Sequence, residues 1–213
     1  SMFKKDKKLE AKDTALYKKS EIVVGIANNN TPFATLNENG EVEGFERDYA
    51  QLLLSGLYPK KSLRFVPIEE QMASYLLKTE EIDFAFGMYT YDVLKTQWLS
   101  LSEAYFTDRV SAFVPSGEQF SPDLLFLKDE TAHIMTGDLN LKKMNAELEG
   151  LGLKSTNLIS CTSYPDGIAS VKNGQSRALI APFYRVGTSD LKAYPTNLSS
   201  VNYQALVWKT QND

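Results

Sequence analysis

Residues 21–57 read EIVVGIANNNTPFATLNENGEVEGFERDYAQLLLSGL, and this run decides the fold. Its opening, EIVVGIA, is a short β-branched apolar segment with polar flanks, the pattern of a buried strand. PFATLNENGEVEGFE then sets two short alternating segments around Asn39-Gly40, a hairpin signal. ERDYAQLLLSGL follows at helical spacing, with Tyr49, Leu52, Leu53 and Leu57 expected on one face and Gly56 near its end. Further on, SLRFVPI reads as a strand, EEQMASYLLKTE as a helix and IDFAFGM as a strand. Strand, helix, strand, helix, strand at this spacing implies a parallel sheet with helices packed on it.

After Phe106 a second series begins. DRVSAFVP is a strand. ETAHIMTG is a strand that leads into a helix from about Leu139 to Leu148, closed by Gly150 and Gly152. STNLISC is a strand. PDGIASVKNG is a short helix with Pro165 in its first turn and Gly174 just past its end. RALIAP and VNYQALVW are the last strands. This implies a second lobe of the same layered kind. No linker rich in Pro, Gly or Ser separates the halves, so any hinge is made of strands. Residues 1–20 are lysine-rich and read as a charged tether and a short helix.

With 213 residues, 43% of them hydrophobic, the chain can bury a core as one domain or two small lobes. A net charge of −4 gives no electrostatic grip on nucleic acid. No apolar run approaches the roughly 20 residues that span a bilayer. The single cysteine, Cys161, excludes an internal disulfide and a cysteine-rich metal site, and the single histidine, His133, reads as a strand residue. A Cys–His catalytic pair and two half-buried structural residues are both open readings of these positions, the structural one preferred.

In an open parallel sheet the ligand crevice lies beyond the carboxyl ends of the strands. Gly25 to Asn28, Gly87 to Tyr91 and Thr136 to Asp138 all fall there. Tyr89 and Tyr91, on the loop leaving a buried strand, either face that crevice or pack as rim residues on a neighbouring loop.

Four segments in order resemble the type II solute-binding proteins, specifically the family 3 receptors of ABC transporters for polar amino acids. EIVVGIANNNTPFATLNENGEVEGFERDYAQLL is similar to that family's first strand, aromatic loop, hairpin and helix start. LLKTEEIDFAFGMYTYDVLK, LSLSEAYF and ASVKNGQSRALIAP are similar to three further motifs, at the right spacing. The resemblance implies an α/β, two-lobed type II periplasmic-binding-protein fold. Each lobe is a βα-layered mixed sheet, and two hinge strands join them. Lobe 1 then covers 21–106 and is completed by 203–213, lobe 2 covers 107–202, and the family's C-terminal helices are absent from the chain. It also implies an extracytoplasmic protein, periplasmic or lipid-anchored, that binds a small-molecule ligand and docks on an ABC permease, with no cofactor, metal or catalytic residue.

Position by position, the resemblance makes Phe33 the aromatic that covers the ligand, with Asn29, Gly87, Tyr89 and Tyr91 beside it in lobe 1. Three expected recognition groups, two of them countercharges, are missing. Leu94 stands where an arginine would bind an α-carboxylate, Pro182 where an aspartate would accept an α-ammonium, and Asp138 where a small hydroxyl would sit. Asp138 is also a good helix N-cap. A zwitterion buried without countercharges loses several kcal/mol of solvation per ion. The expectation is therefore a degenerate amino-acid site that takes a small polar or cationic solute, lined in lobe 2 by Arg109, Asp138 and Pro182. Arg109, Arg177 and Arg185 could substitute for the lost arginine, and a surface ion pair of Arg109 with Asp108 or Glu103 is the alternative. Two other functions stay open: a ligand-free sensory or scaffold domain that meets another domain or protein through lobe 1, and, ranked last, an enzyme.

Overall fold

The computed structural model describes residues 19–28, 30–91, 95–118, 123–136, 138–186 and 189–208. In chain order the first elements are β1 (Glu21–Ala27), β2 (Thr35–Leu36), β3 (Val42–Glu43), α1 (Phe45–Leu57), β4 (Ser62–Ile68), α2 (Ala73–Lys78), β5 (Phe84–Tyr89) and β6 (Leu99–Leu101). They continue with β7 (Phe106–Asp108), β8 (Val110–Pro115), β9 (Thr131–Met135), α3 (Leu141–Gly150), β10 (Asn157–Cys161), α4 (Tyr164–Lys172), β11 (Ala178–Pro182), α5 (Phe183–Val186), β12 (Leu191–Pro195) and β13 (Val201–Trp208). The chain divides into two compact units, one running to Phe106 and resuming at Asn202, the other Thr107–Val201. The tether read at 1–20 lies outside the described residues apart from Lys19 and Ser20.

In the first unit the sheet order is β4-β1-β5-β13-β6, with β7 also paired to β13. β1 runs parallel to β4 and β5, while β13 is antiparallel to β5 and β6. Side chains alternate along β5, so the two faces build separate cores. Phe84 and Phe86 join Ile22, Val24, Ile26, Ala50 and Leu54 beneath α1. Ala85 and Tyr89 join Ile68, Ala73, Leu77 and Leu206 beneath α2.

The buried face of α1 runs through Glu46, Ala50 and Leu54, not through Leu52, which is exposed. Three consecutive leucines let the periodicity be read in more than one phase. The acid at 46 lies on the inner face, a polar residue among apolar ones. Between β2 and β3 the turn is also longer than a two-residue hairpin. The Asn37 side-chain oxygen accepts from the N–H groups of Asn39 (2.9 Å) and Glu41 (3.0 Å), and Gly40 supplies the positive φ.

The second unit has the order β10-β9-β11-β8-β12, with β9 parallel to β10 and β11 and β8 antiparallel to β11 and β12. Phe113, Cys161, Val171, Leu179, Ala181 and Val186 form one of its cores. Asn140, not Asp138, caps α3, accepting from Lys143 N–H at 2.8 Å. This corrects the expected cap: Asp138 is drawn elsewhere, as described below. Gly152 N–H donates to Glu149 O and Leu153 N–H to Leu148 O, closing α3 by a Schellman turn. Ser163 caps α4 by accepting from Asp166 N–H.

Candidate functional site

In the first unit the carboxyl ends of β1 and β5 lie side by side and carry a tightly built loop. Asn30 is buried, and its side-chain amide donates to Gly87 O at 2.8 Å. Its own carbonyl accepts from Phe33 N–H (2.6 Å) and Ala34 N–H (3.0 Å), which folds the loop back on itself. At Gly87 there is no room for a side chain, since a Cβ would lie 2.7 Å from both Ala27 Cβ and the Tyr89 ring. Met88 then takes a left-handed backbone, φ 58°, a region that costs a residue with a side chain about 1–2 kcal/mol.

A buried acid meets the backbone at that strained residue. Met88 N–H donates to Glu46 Oε2 (3.0 Å) and lies 3.1 Å from the Tyr105 hydroxyl, which itself donates to Glu46 Oε2 at 2.6 Å. Glu46 has no exposed surface. Burial and the negative charge of Glu46 push the Tyr105 phenol well above its ordinary pKa, so it stays a donor. Together these contacts hold the end of β5 in a fixed conformation.

The expected lobe 1 residues part company here. Phe33 is 5% exposed and packs edge-on against Phe106 (5.3 Å) and Phe45 (6.3 Å). Tyr89 is the last residue of β5 and not a loop residue. Its ring is in the core, and its hydroxyl donates to Glu70 O at 2.9 Å. Burial first, then the charges of Glu70 and Glu46, raise its pKa far above the phenol range. Tyr91 is 67% exposed. Asn29 and Leu94 lie outside the described residues. The Asn30–Gly87 hydrogen bond thus brings the Phe33 loop to the end of β5, while Tyr91 stands apart from that contact.

In the second unit Pro182 ends β11 opposite Val110, the first residue of β8. Phe183 N–H donates to Arg109 O at 3.0 Å, and Tyr184 N–H to Asp108 Oδ2 at 2.8 Å. Asp108 is 1% exposed, and its Oδ1 has no hydrogen-bond partner among the described residues. Burial raises its pKa against the pull of the nearby Tyr184, Arg109 and Phe183 N–H groups and the Arg109 charge. Arg109 makes no ion pair with Asp108 or Glu103 among the described residues. Its guanidinium lies over the Phe183 ring, 4.7 Å from the centroid, where a cation–π contact takes the place of the expected surface pair.

Asp138 is not unpartnered. Its Oδ2 lies 3.3 Å from Arg185 Nε and accepts the Tyr164 hydroxyl, and the Arg185 guanidinium sits 5.8 Å from the Tyr164 ring centroid. Both charged side chains are largely buried, Arg185 at 12% and Asp138 at 5% exposure. Arg177 is engaged by Glu118 and Glu130. Arg109, Pro182 and Asp138, distant in sequence, therefore converge on the junction of β11 and α5. His133 sits in the middle of β9, between Ile159 and Leu179, away from the strand ends.

Sequence reasoning passed over Glu46, Tyr105 and Asp108. Glu46 reads as an ordinary first-turn acid favoured by the helix dipole, and Asp108 as a surface residue beside Arg109. The available signal was a carboxylate at an apolar phase of α1.

No curated protein matches the chain. Among solved structures it is similar to an ancestral cationic amino acid solute binding protein (TM-score 0.66, 16% identity, covering 95% of this chain and 88% of the other). It is also similar to the arginine-bound, truncated ArgBP of T. maritima (0.59, 20%, 93% and 90%). A third is a histidine-bound ABC uptake transporter substrate binding protein of Streptococcus pneumoniae (0.68, 13%, 94% and 85%). At these identities the likeness is one of fold. Residues 22–192 match a family as a whole, across strand ends in both units. The chain belongs to the bacterial extracellular solute-binding proteins, family 3.

Proposed function

We propose that this protein works outside the cytoplasm, periplasmic or lipid-anchored, as the receptor of an ABC importer, and that it captures a small polar or cationic solute. The observation that carries the reading is the family match over residues 22–192, which includes the strand-end loops of both units. Similar structures named for cationic amino acids, or holding arginine or histidine, support a cationic solute. Pro182 supplies no carboxylate, and Asp138 is already held by Arg185 and Tyr164. Those two facts favour a solute recognised by a scheme other than a paired ammonium and carboxylate. Tyr91, Phe33 and Gly87 in the first unit and Arg109, Asp138 and Pro182 in the second are its proposed surroundings, and Asn29 belongs with them by sequence. The role is binding without catalysis.

A thermal-shift panel of amino acids, amines, oligopeptides and sugars tests this. A true ligand at a hundred times its Kd adds about 2.7 kcal/mol, or a rise of about 8 °C for a chain of this size. Saturable elevation by a panel member supports the reading; silence across the panel refutes it. The engagement of Asp138 within its own unit also favours a second reading, a scaffold domain that meets a protein partner. A stable complex or dimer with no ligand response would establish that one instead.

A further inference from the structure

The two main sheets end in open edges, and their edge strands are not alike. β4 carries Arg64 and Pro67, β12 carries Lys192 and Pro195, and β6 is three residues long. Charge, proline and brevity are the usual means of keeping an edge from pairing with another chain. β10 has none of them: its sequence, NLISC, is uncharged, lacks proline and spans five residues. Asn157, Ile159 and Ser160 are exposed, Ile159 at 40%.

The backbone says what fits there. Asn157 N–H donates to Glu130 O on the β9 side. Alternate residues of a parallel ladder turn their backbone groups the same way, so Leu158 and Ser160 present theirs on the outer edge. A second copy of the chain matches that edge. With the two β10 strands antiparallel about a two-fold axis at Ile159, Leu158 of each copy exchanges both hydrogen bonds with Ser160 of the other. This register pairs all five residues of β10. Two-fold symmetry sets the central residue against itself. A charge there would face its own like, whereas Ile159 meets an apolar twin. Exposed Lys154 precedes the strand and exposed Asp166 follows it, so each end of the seam brings a lysine of one copy toward an aspartate of the other. We propose that β10 is the seam of a two-fold dimer, which joins two five-stranded sheets into one continuous sheet across two copies of this chain. Ligand response, read by the thermal-shift panel, decides separately between the two functions above.

Sedimentation velocity of the full chain from micromolar to submillimolar concentration tests it, comparing the parent with Ile159→Lys and Ser160→Pro. The parent should pass reversibly from monomer to dimer. Ile159→Lys sets two ammonium groups opposite each other, and Ser160→Pro deletes an outward N–H while sparing the inner ladder. Each should weaken the dimer about tenfold or more, with circular dichroism and melting confirming that the variant is folded. Ile159→Cys gives a readout that depends on neither. Opposed residues of a non-hydrogen-bonded antiparallel pair lie about 4.5 Å apart at Cα, within disulfide reach, so mild oxidation should join this variant into a covalent dimer. Tyr75→Cys, exposed in the first unit, is the control and should stay mainly monomeric. A parent that is monomeric throughout overturns the proposal and leaves the edge to an extended peptide of another protein. A dimer that the folded variants keep at parent affinity, or equal crosslinking at 159 and 75, overturns the assignment to β10.

Discussion

Tyr105→Phe removes one oxygen from the first unit and keeps the ring, which stacks on Tyr49 at 5.6 Å. The lost hydroxyl is the 2.6 Å donor to Glu46 Oε2, a carboxylate with no access to water. Hydrogen bonds to charged groups contribute about 1.5–3 kcal/mol, and the acceptor here stays buried when its donor is deleted. Met88 N–H still reaches Glu46, so the lower half of that range applies, about 2 kcal/mol. For a chain of this length that is a fall in Tm of about 6 °C. Urea unfolding followed by tryptophan emission reads the right unit, because Trp98 and Trp208 both belong to the first one and stack at 6.4 Å. Tyr75→Phe, at an exposed position, is the control and should stay within about 0.5 kcal/mol of the parent. If Tyr105→Phe behaves like that control, Glu46 does not depend on the phenol and the account of the β5 terminus fails.

Gly87→Ala forces a Cβ to 2.7 Å from Ala27 Cβ and from the Tyr89 ring. It should destabilise by about 1–3 kcal/mol in the same urea assay, and a neutral result would contradict the close approach. Arg185→Met leaves the Asp138 carboxylate buried without its cation and should cost about 3 kcal/mol. Adding Asp138→Asn should recover at least about 1 kcal/mol, the coupling read from a double-mutant cycle; strict additivity would refute the pair. Asp108 supplies a pH signature. Its folded pKa is raised by burial above the ordinary 3.8, so the folded state holds the proton more tightly than the unfolded chain. Any stability linked to this group is present below 3.8 and lost as pH rises through the higher folded value. Asp108→Asn removes that slope, so the stability of the parent minus that of the variant should decline from acid to neutral pH. A constant difference in urea midpoints would show that the group is not shifted.

The layered fold was legible because its signals are local. β-branched runs, an Asn-Gly turn and Gly-terminated helices each announce themselves within ten residues or so, and four family motifs fix their order. β12 escaped because LKAYP carries a lysine and a proline and lies at a sheet edge, where alternation is weak. Phe33 and Tyr89 had the right residue type for a binding loop. Only tertiary contact could show that one packs on Phe106 and the other on the α2 side of the sheet. Asp138 and Arg185 are 47 residues apart, and no pattern in the chain links them. Polar groups that satisfy one another across the fold leave no periodic trace.

β13 follows the whole of the second unit in the chain and is inserted between β5 and β6. A chain emerging from the ribosome therefore exposes all of Thr107–Val201 before the neighbouring sheet can receive its interior strand. The contiguous unit is free to condense first, while the amino-terminal half waits with two strand edges open. Any factor that guards this protein during synthesis has its natural target in that waiting gap.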